Sequence, residues 1–361
     1  MIKSPDTVLA NQDRPPLAGK VLQRLQEKSR WRWTNLLLGI LASAVFLYLA
    51  LRGIDLPQVL REVQSANYAL LALAICVGMV SNLFRAARWR LMLGGQPRVR
   101  LRPVFTSMMI GYLANNVLPA RMGELVRIYV LERKAGVSKS TSAATVVLER
   151  LTDVLVLVAL IMLIAFFLPL PAMVRSGSWI AATVSGALII LLLFLTLRDK
   201  GLARVATRMA GSLSYGVGQK ALAILERFVD GLSVLRSGKQ ALFTLMLTFV
   251  IWSIEAASVG LVMKSLDLNL PWIAALLLVV VLSLSYVIPA APGAVGTYEF
   301  FAITALIPFA VKNDQAVGLA LVLHAVVYVT ATALGLVCLW AESLSLRELM
   351  IKAPDRQEEK A

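Results

Sequence analysis

Residues 115–124 read Asn-Asn-Val-Leu-Pro-Ala-Arg-Met-Gly-Glu and interrupt a long apolar run. A related break at residues 285–296 reads Ser-Tyr-Val-Ile-Pro-Ala-Ala-Pro-Gly-Ala-Val-Gly. Both contain an aliphatic residue, Pro-Ala, two further residues and Gly. Proline and glycine at membrane depth release backbone groups that lipid cannot satisfy, so such breaks persist only inside protein or beside a polar cavity. Two interrupted segments in matching halves therefore indicate a membrane carrier.

The composition also indicates a membrane protein. Of the 361 residues, 58% are hydrophobic and 16% are charged, which departs far from the balance of soluble domains. The net charge is +15, and the basic residues cluster at the ends of apolar runs, as in loops beside anionic lipid headgroups. We therefore expect membrane lipids as partners and no nucleic acid, and the composition leaves the oligomeric state open.

The apolar runs predict an all-α helical bundle with about six full spans and two re-entrant hairpins. The predicted spans lie at about 34–51, 68–86, 146–168, 179–197, 240–263 and 315–341. The first hairpin includes residues 103–118, because they are too few to cross a bilayer, which takes about 20 residues. The second hairpin includes 272–289 and 298–311, and two full spans are the alternative there.

The distribution of arginine and lysine orients the bundle and predicts a multi-pass protein of the bacterial plasma (inner) membrane with both termini in the cytoplasm. An odd number of spans in each half would turn the second half upside down, which predicts an inverted repeat. The predicted divisions are a basic cytoplasmic tail at 1–33, membrane halves at 34–170 and 171–341, an amphipathic cytoplasmic insert at 198–239, and a cytoplasmic tail at 342–361.

Polar residues around the first break form the first candidate binding site. Asn115 and Asn116 precede the break, and Arg121, Glu124 and Arg127 follow it at a spacing of three, which places neighbours on one side of a helix. Arginine binds phosphate through two parallel hydrogen bonds, and a nearby carboxylate can hold the arginine in place or accept an amine. A cytoplasmic ion pair that orients a loop is the alternative.

A second candidate cluster contains Glu149, Arg150 and Asp153 at the start of the third span. The two carboxylates are four residues apart on one helical face, where like charges repel. They therefore need a cation from another segment, and Arg121 or Arg127 is expected to supply it. The pattern fits a charge network between hairpin and span as well as it fits a headgroup site.

Five more ionisable residues lie at or near membrane depth. Arg85 and Arg88 end the second span, where positive-inside anchoring is favoured over binding. Glu255 lies in mid-span and therefore requires a buried partner, and Glu299 follows the second break as a further candidate for substrate binding. His324 is expected to be a packing residue rather than a proton relay.

Several signatures are absent from the sequence. It has no phosphate loop, no dinucleotide fingerprint and no His/Cys spacing for a metal, so we expect no cofactor, no metal and no pumping driven by ATP. Cys76 and Cys338 lie inside apolar runs and are expected to be small packing residues. We therefore also expect that the chain is not an enzyme.

Four motifs form a recognisable set. They are Arg85-x-x-Arg88-Trp89, Asn115-Asn116-x-x-Pro119-x-Arg121-x-Gly123-Glu124-x-x-Arg127, Glu149-Arg150-x-x-Asp153 and Pro289-x-x-Pro292-Gly293-x-x-Gly296-x-x-Glu299. With these motifs, residues 34–341 resemble the membrane domain of the lysylphosphatidylglycerol synthase family, a flippase-like family that includes stand-alone members. The prolines and glycines expected to break helices are Pro119, Gly123, Pro289, Pro292, Gly293 and Gly296.

The resemblance implies a function in moving lipid. In the full-length enzymes this domain is thought to move modified phospholipid across the bilayer, while a soluble domain, not found here, makes it. We therefore expect a carrier for a phosphate-bearing lipid: an aminoacyl-phospholipid, a glycolipid or a polyprenyl-linked lipid. One alternative is a membrane-embedded transferase with a polyprenyl-phosphate donor, in which Glu149 or Asp153 acts as base. Another is a non-transporting partner of a lipid-synthesis enzyme.

Overall fold

The computed structural model describes residues 41, 44–50, 52, 56–94, 99–118, 122–170, 172–197, 237–286 and 291–344. Within these ranges the secondary structure is helical, with no strand. The longer helices are α1 (Leu56–Gln64), α2 (Tyr68–Met92), α3 (Leu101–Val117), α4 (Gly123–Ala135), α5 (Lys139–Phe167), α6 (Ala172–Leu197), α7 (Gly238–Ser265), α8 (Trp272–Ser285), α9 (Thr297–Leu306) and α10 (Asn313–Ala341). The protein is an all-α polytopic membrane protein, as the sequence predicted.

Four described helices are long and apolar enough to cross a membrane: α2, α5, α7 and α10. The predicted span at 179–197 lies within α6, which has 26 residues. Of the predicted first span, the structure describes only residue 41 and residues 44–50, which are helical. The tail at 1–33, residues 198–236 of the predicted insert and residues 345–361 of the last tail lie outside the described residues.

Two span boundaries differ from those predicted. Helix α2 continues to Met92, beyond the predicted end at residue 86, because its last turns are buried rather than exposed in a loop. Helix α5 begins at Lys139 rather than at residue 146, since Ser138 caps it: the Ser138 Oγ accepts a hydrogen bond from the Thr141 N–H over 3.1 Å. Both extensions carry polar residues into the protein interior.

The first break joins α3 and α4, which pack against each other as the predicted hairpin requires. Gly111 and Gly123 allow the close approach, because a Cβ on Gly123 would collide with the Gly111 carbonyl and the Asn115 side chain. The Gly123 N–H donates to the Asn115 Oδ1 over 2.7 Å, which satisfies a backbone donor at the start of α4. Pro119 and Arg121 lie outside the described residues.

The second break separates α8 from α9, which also pack together. With 14 and 10 residues, neither reaches the length of about 20 that a span needs, which favours the hairpin over two full spans. Gly293 and Gly296 have φ values of +74° and +86°, which side chains other than glycine rarely adopt. Pro292 begins a single 3₁₀ turn, and Pro289 lies outside the described residues.

The two predicted halves meet along α2 and α7. These helices run antiparallel, since the Asn67 N–H donates to the Ser265 carbonyl and the Ser258 hydroxyl to the Ala74 carbonyl. The last span of each half packs on the first hairpin helix of the other half: α10 on α3, and α5 on α8. Helices in equivalent positions that run in opposite directions support the predicted inverted repeat.

Candidate functional site

Three spans turn polar faces toward one another inside the protein. On each helix the polar residues recur at intervals of three, four or seven, which places them on one side. With Arg127 from α4, we call these residues the polar seam. Its members are Ser81, Arg85 and Arg88 on α2, Ser142, Thr145, Glu149 and Asp153 on α5, and Thr244, Thr248 and Glu255 on α7. From Glu255 to Thr244 the seam extends about 16 Å along α7.

Arg88 is the centre of the seam. Its side chain is 0% exposed, and its Nη1 donates to the Asp153 Oδ1 over 2.5 Å and to the Thr248 Oγ1 over 2.7 Å. The Arg88 Nη2 donates to the Asp153 Oδ2 over 3.2 Å and lies 3.4 Å from the Glu149 Oε1. The paired bonds to one carboxylate have the fork geometry that arginine prefers.

Arg127 extends the seam toward the end of α2. Its Nη1 donates to the Glu149 Oε2 over 3.0 Å, and its guanidinium carbon lies 4.9 Å from the centre of the Trp89 ring. The Trp89 Nε1 in turn donates to the Thr145 hydroxyl over 3.0 Å. Arg127 and Trp89 are both buried, and the face of the ring attracts the charge of the guanidinium.

The seam has more exposed side chains at two places. At one end, the Arg85 Nη2 donates to the Glu255 Oε1 over 3.2 Å and the Ser81 hydroxyl to the same oxygen over 2.6 Å. The Glu255 side chain is 26% exposed. At the other end, the Arg150 Nη2 lies 3.6 Å from the Glu149 Oε1, and the Arg150 side chain is 46% exposed.

The buried arginines retain unused hydrogen-bond donors. Among the described residues, Arg88 Nε, Arg127 Nε and Arg127 Nη2 have no hydrogen-bond partner. Buried polar groups in proteins nearly always have one, and a donor on a cation is costly to leave unpaired. The seam therefore offers N–H donors to an acceptor with several oxygens.

The residues predicted around the first break separate in the structure. Arg127 joins the polar seam, whereas the Asn116 Nδ2 donates to the Thr332 hydroxyl over 3.0 Å and ties α3 to α10. Asn115 binds the backbone of Gly123, and Glu124 lies close enough to Arg150 to interact electrostatically. Arg121 lies outside the described residues.

The described residues show which cations meet the paired carboxylates. Arg127, one of the two arginines that the sequence suggested, pairs with Glu149, and Arg88 lies against both Glu149 and Asp153. The favoured interpretation of Arg85 and Arg88 as interfacial anchors is wrong, because both are buried. Sequence reasoning missed the hydroxyls of the seam; their spacing in register with Arg88 was the available signal.

A second polar cluster lies beyond the second break. The His324 Nδ1 lies 2.5 Å from the Glu299 Oε1, and the His324 Nε2 lies 2.7 Å from the Gly293 carbonyl oxygen. The Gly296 N–H donates to the Glu299 Oε2 over 2.7 Å, which caps α9. Glu299 was predicted as a site residue, whereas His324 was expected only to pack.

Comparison with known proteins places the chain in a family. Residues 36–335 match the model of the lysylphosphatidylglycerol synthase TM region. The protein belongs to this family. A UPF0104 membrane protein of Pyrococcus horikoshii is 25% identical over 84% of this chain and 95% of its own length. One from Methanothermobacter thermautotrophicus is 23% identical over 77% of this chain and 85% of its own length. No solved structure matches.

Glycosyltransferase AglD of Haloferax volcanii is 24% identical over 74% of this chain and 48% of its own length. The chain thus spans about half the length of that relative. The relative's name points to enzymatic activity in the family and overturns the expectation that the chain is not an enzyme. That expectation relied on the missing soluble aminoacyl-transfer domain and the missing nucleotide motifs, but a donor linked to a membrane lipid needs no nucleotide-binding loop. These relatives are archaeal, so a bacterial plasma membrane stays a prediction.

Proposed function

We propose that this protein is a lipid carrier that moves a phosphate-bearing lipid between the leaflets of its membrane. One observation carries the proposal: two buried arginines, Arg88 and Arg127, keep three N–H-bearing nitrogens unpaired among the described residues. A phosphate accepts several hydrogen bonds at once and is the ligand that such guanidinium groups bind best. Ionisable residues inside a membrane protein mark substrate pathways by default.

The seam has the dimensions of a headgroup path. Its length of about 16 Å corresponds to roughly half of the 30 Å hydrocarbon core. A headgroup would enter near Arg150 and Glu124 and displace Glu149 from Arg127, while the acyl or polyprenyl chains stay in lipid. The displaced Glu149 carboxylate keeps cationic neighbours, because its Oε1 lies 3.4 Å from the Arg88 Nη2 and 3.6 Å from the Arg150 Nη2, so the exchange leaves neither a cation nor an anion isolated.

After the headgroup has entered the seam, the seam must open to the other leaflet, and the predicted inverted arrangement of the halves allows this movement. Carriers of this kind alternate by rocking one half against the other around a site near the bilayer midplane. Here the pair Arg85–Glu255 joins α2 to α7, the helices at which the halves meet. Movement along this contact would open the seam first to one leaflet and then to the other.

Reconstituted liposomes test the proposal. The protein is incorporated with fluorescent phosphatidylglycerol, an aminoacyl-phosphatidylglycerol, a phosphate-linked glycolipid or a polyprenyl phosphate, and a membrane-impermeant quencher reports the fraction in the outer leaflet. We expect exchange of at least one of these lipids to exceed that of protein-free liposomes, without ATP. Exchange equal to that of protein-free liposomes for all four headgroups would overturn the carrier function.

Arg127→Gln tests the site itself. Loss of a charge-assisted phosphate contact of about 1.5–3 kcal/mol should slow exchange roughly tenfold or more if the contact is made at the barrier. Arg133→Gln, an exposed arginine on the same helix, is the matched control and should exchange at the wild-type rate. Equal rates for both variants would exclude Arg127 from the headgroup path.

A lipid-linked transferase is the second candidate, which the name of the AglD relative favours. In that case Glu149 or Asp153 would act as base, after release from its arginine partners. Purified protein with a radiolabelled polyprenyl-phosphate-sugar donor and lipid acceptors distinguishes the two. Product that forms with wild-type protein but not with Asp153→Asn would favour the transferase. Exchange of lipid between leaflets without product would favour the lipid carrier.

A further inference from the structure

Glu299, His324 and Gly293 form a cluster away from the polar seam, and nothing in the proposed function uses it. Glu299 lies on α9 and His324 on α10, and both side chains are buried. The imidazole bridges them to the break: one ring nitrogen faces the Glu299 carboxyl and the other the Gly293 carbonyl. The histidine therefore ties the last span to the left-handed turn of the second break.

The hydrogen-bond geometry fixes the number of protons in this cluster. The Gly293 carbonyl can only accept, so the His324 Nε2 must carry a proton. The Glu299 Oε2 accepts from the Gly296 N–H, so the other oxygen, Oε1, faces the ring. A short contact between Oε1 and Nδ1 needs a second proton between them, held either on the imidazole or on the carboxyl.

We propose that Glu299 and His324 form a proton-binding site whose occupancy latches the second break to the last span. Removal of the shared proton must disrupt one contact. If Nε2 keeps its proton, the Nδ1 lone pair faces the carboxylate; if the remaining proton moves to Nδ1, the Nε2 lone pair faces the Gly293 carbonyl. In either tautomer two acceptors oppose each other, so the proton controls the contact between α9, α10 and the break.

The surroundings favour the state in which Glu299 is a carboxylate and both ring nitrogens of His324 carry a proton. Glu299 lies in the first turn of α9, where the helix dipole stabilises a carboxylate. The Tyr298 ring stacks on the His324 ring at 4.5 Å, and the Tyr328 ring meets it edge-on at 6.1 Å. Among the described residues, further titratable groups near this cluster include Tyr286, whose ring lies 6.4 Å from Tyr298, and Glu255.

The second break packs so closely on α10 that it can hardly move without losing its contact with that helix. A Cβ on Gly293 would lie 2.7 Å from the Tyr328 ring, so the break contacts α10 closely on the same side as His324. Any effect of this proton on lipid movement rests on the proposed function, whereas the proton site itself does not.

His324 is the single histidine of the chain, so nitrogen-15 labelling of histidine reports this side chain alone. The whole protein in lipid nanodiscs, purified without a histidine tag, is titrated between about pH 5 and 9 by solid-state NMR. At acidic pH we expect both ring nitrogens to carry or share a proton, and we expect one of these protons to be lost as the pH rises. In Glu299→Gln the signature of a short Nδ1–Oε1 hydrogen bond should be absent. A histidine that keeps one neutral tautomer throughout would overturn the proposal.

Thiol labelling tests the latch. Cys76 and Cys338 are replaced by alanine, and a cysteine is placed at Ala294, which is buried between the two glycines of the break, or at the exposed Ser176 on α6 as the control. The ratio of labelling at Ala294 to that at Ser176 should rise about fivefold from acid to alkaline pH, the change that loss of one hydrogen bond produces. In His324→Gln the ratio should not change with pH. A wild-type ratio that also stays constant would refute the latch, whatever the liposome assay shows.

Discussion

At the scale of single residues, the interior is organised by arginine. Arg88 contacts two carboxylates and a hydroxyl from two other spans, so one side chain fixes the relative positions of α2, α5 and α7. Burial of such charges is tolerated only when every partner is present, because an isolated charge in a low-dielectric interior is unstable. The same residues that define the proposed site therefore also hold the spans together.

Arg88→Gln should destabilise the protein by about 3–5 kcal/mol, since it leaves the buried Asp153 carboxylate without its cation. Adding Asp153→Asn should recover part of this loss, because the two residues act as a pair. Lys139→Ala, which removes an exposed ion pair with Glu132, should change stability by no more than about 1 kcal/mol. Thermal unfolding in detergent, followed by tryptophan fluorescence, compares the variants; an Arg88 variant as stable as the lysine control would contradict a central role.

At the scale of helices, close packing at glycine decides where the first hairpin closes. Helix α4 can approach α3 only because Gly111 and Gly123 have no side chains at the crossing. The sequence located this break, but neither hydropathy nor charge could predict which faces of α3 and α4 pack against each other. The two glycines lie on different helices, and their contact depends on the angle at which α3 and α4 cross.

Gly123→Ala should therefore weaken the hairpin by about 1–3 kcal/mol, because the new methyl group meets a backbone carbonyl that cannot move aside. Gly177→Ala on α6 is the matched control: a Cβ there meets nothing within 4 Å, and alanine is the better helix former. The melting temperature should fall for Gly123→Ala and stay level or rise for Gly177→Ala. Equal behaviour would mean that the close approach carries little strain.

An ion pair closes the first hairpin against the last span. The Lys134 Nζ lies 2.6 Å from the Glu342 Oε2, and this hydrogen bond lowers the pKa of the Glu342 carboxyl below its usual value. A lowered carboxyl pKa contributes stability that is complete above the unfolded-state pKa, about 4.3, and lost as pH falls through the folded-state value. The melting temperature of the wild type should therefore exceed that of Glu342→Gln at neutral pH and match it in acid. A difference independent of pH would assign the effect to packing.

At the scale of the whole molecule, the sequence predicted the helical bundle and singled out the charged residues of the seam, although it favoured an interfacial position for Arg85 and Arg88. Hydropathy and arginine position suffice for spans, because lipid allows few alternatives to a helix. The pairings could not be predicted: Arg88 and Thr248 are 160 residues apart, and only the packing of α2 on α7 brings them together. The hydroxyls escaped notice because serine and threonine in helices usually bind their own backbone, as Thr248 also does with Thr244.

The antiparallel pairing of α2 and α7 makes one prediction about orientation in the membrane. If the halves are inverted, the end of α2 and the start of α7 lie on the same side, and the start of α2 and the end of α7 lie on the other. Cysteines replacing Arg100 and Lys239 should react only with reagents applied from the cytoplasm, and cysteines replacing Gln64 and Asn269 only with reagents applied from outside. All four positions are exposed, and Cys76 and Cys338 are removed first. Labelling of Gln64 and Arg100 from one side would mean that α2 does not cross the membrane, and the inverted repeat would then lose its central helix pair.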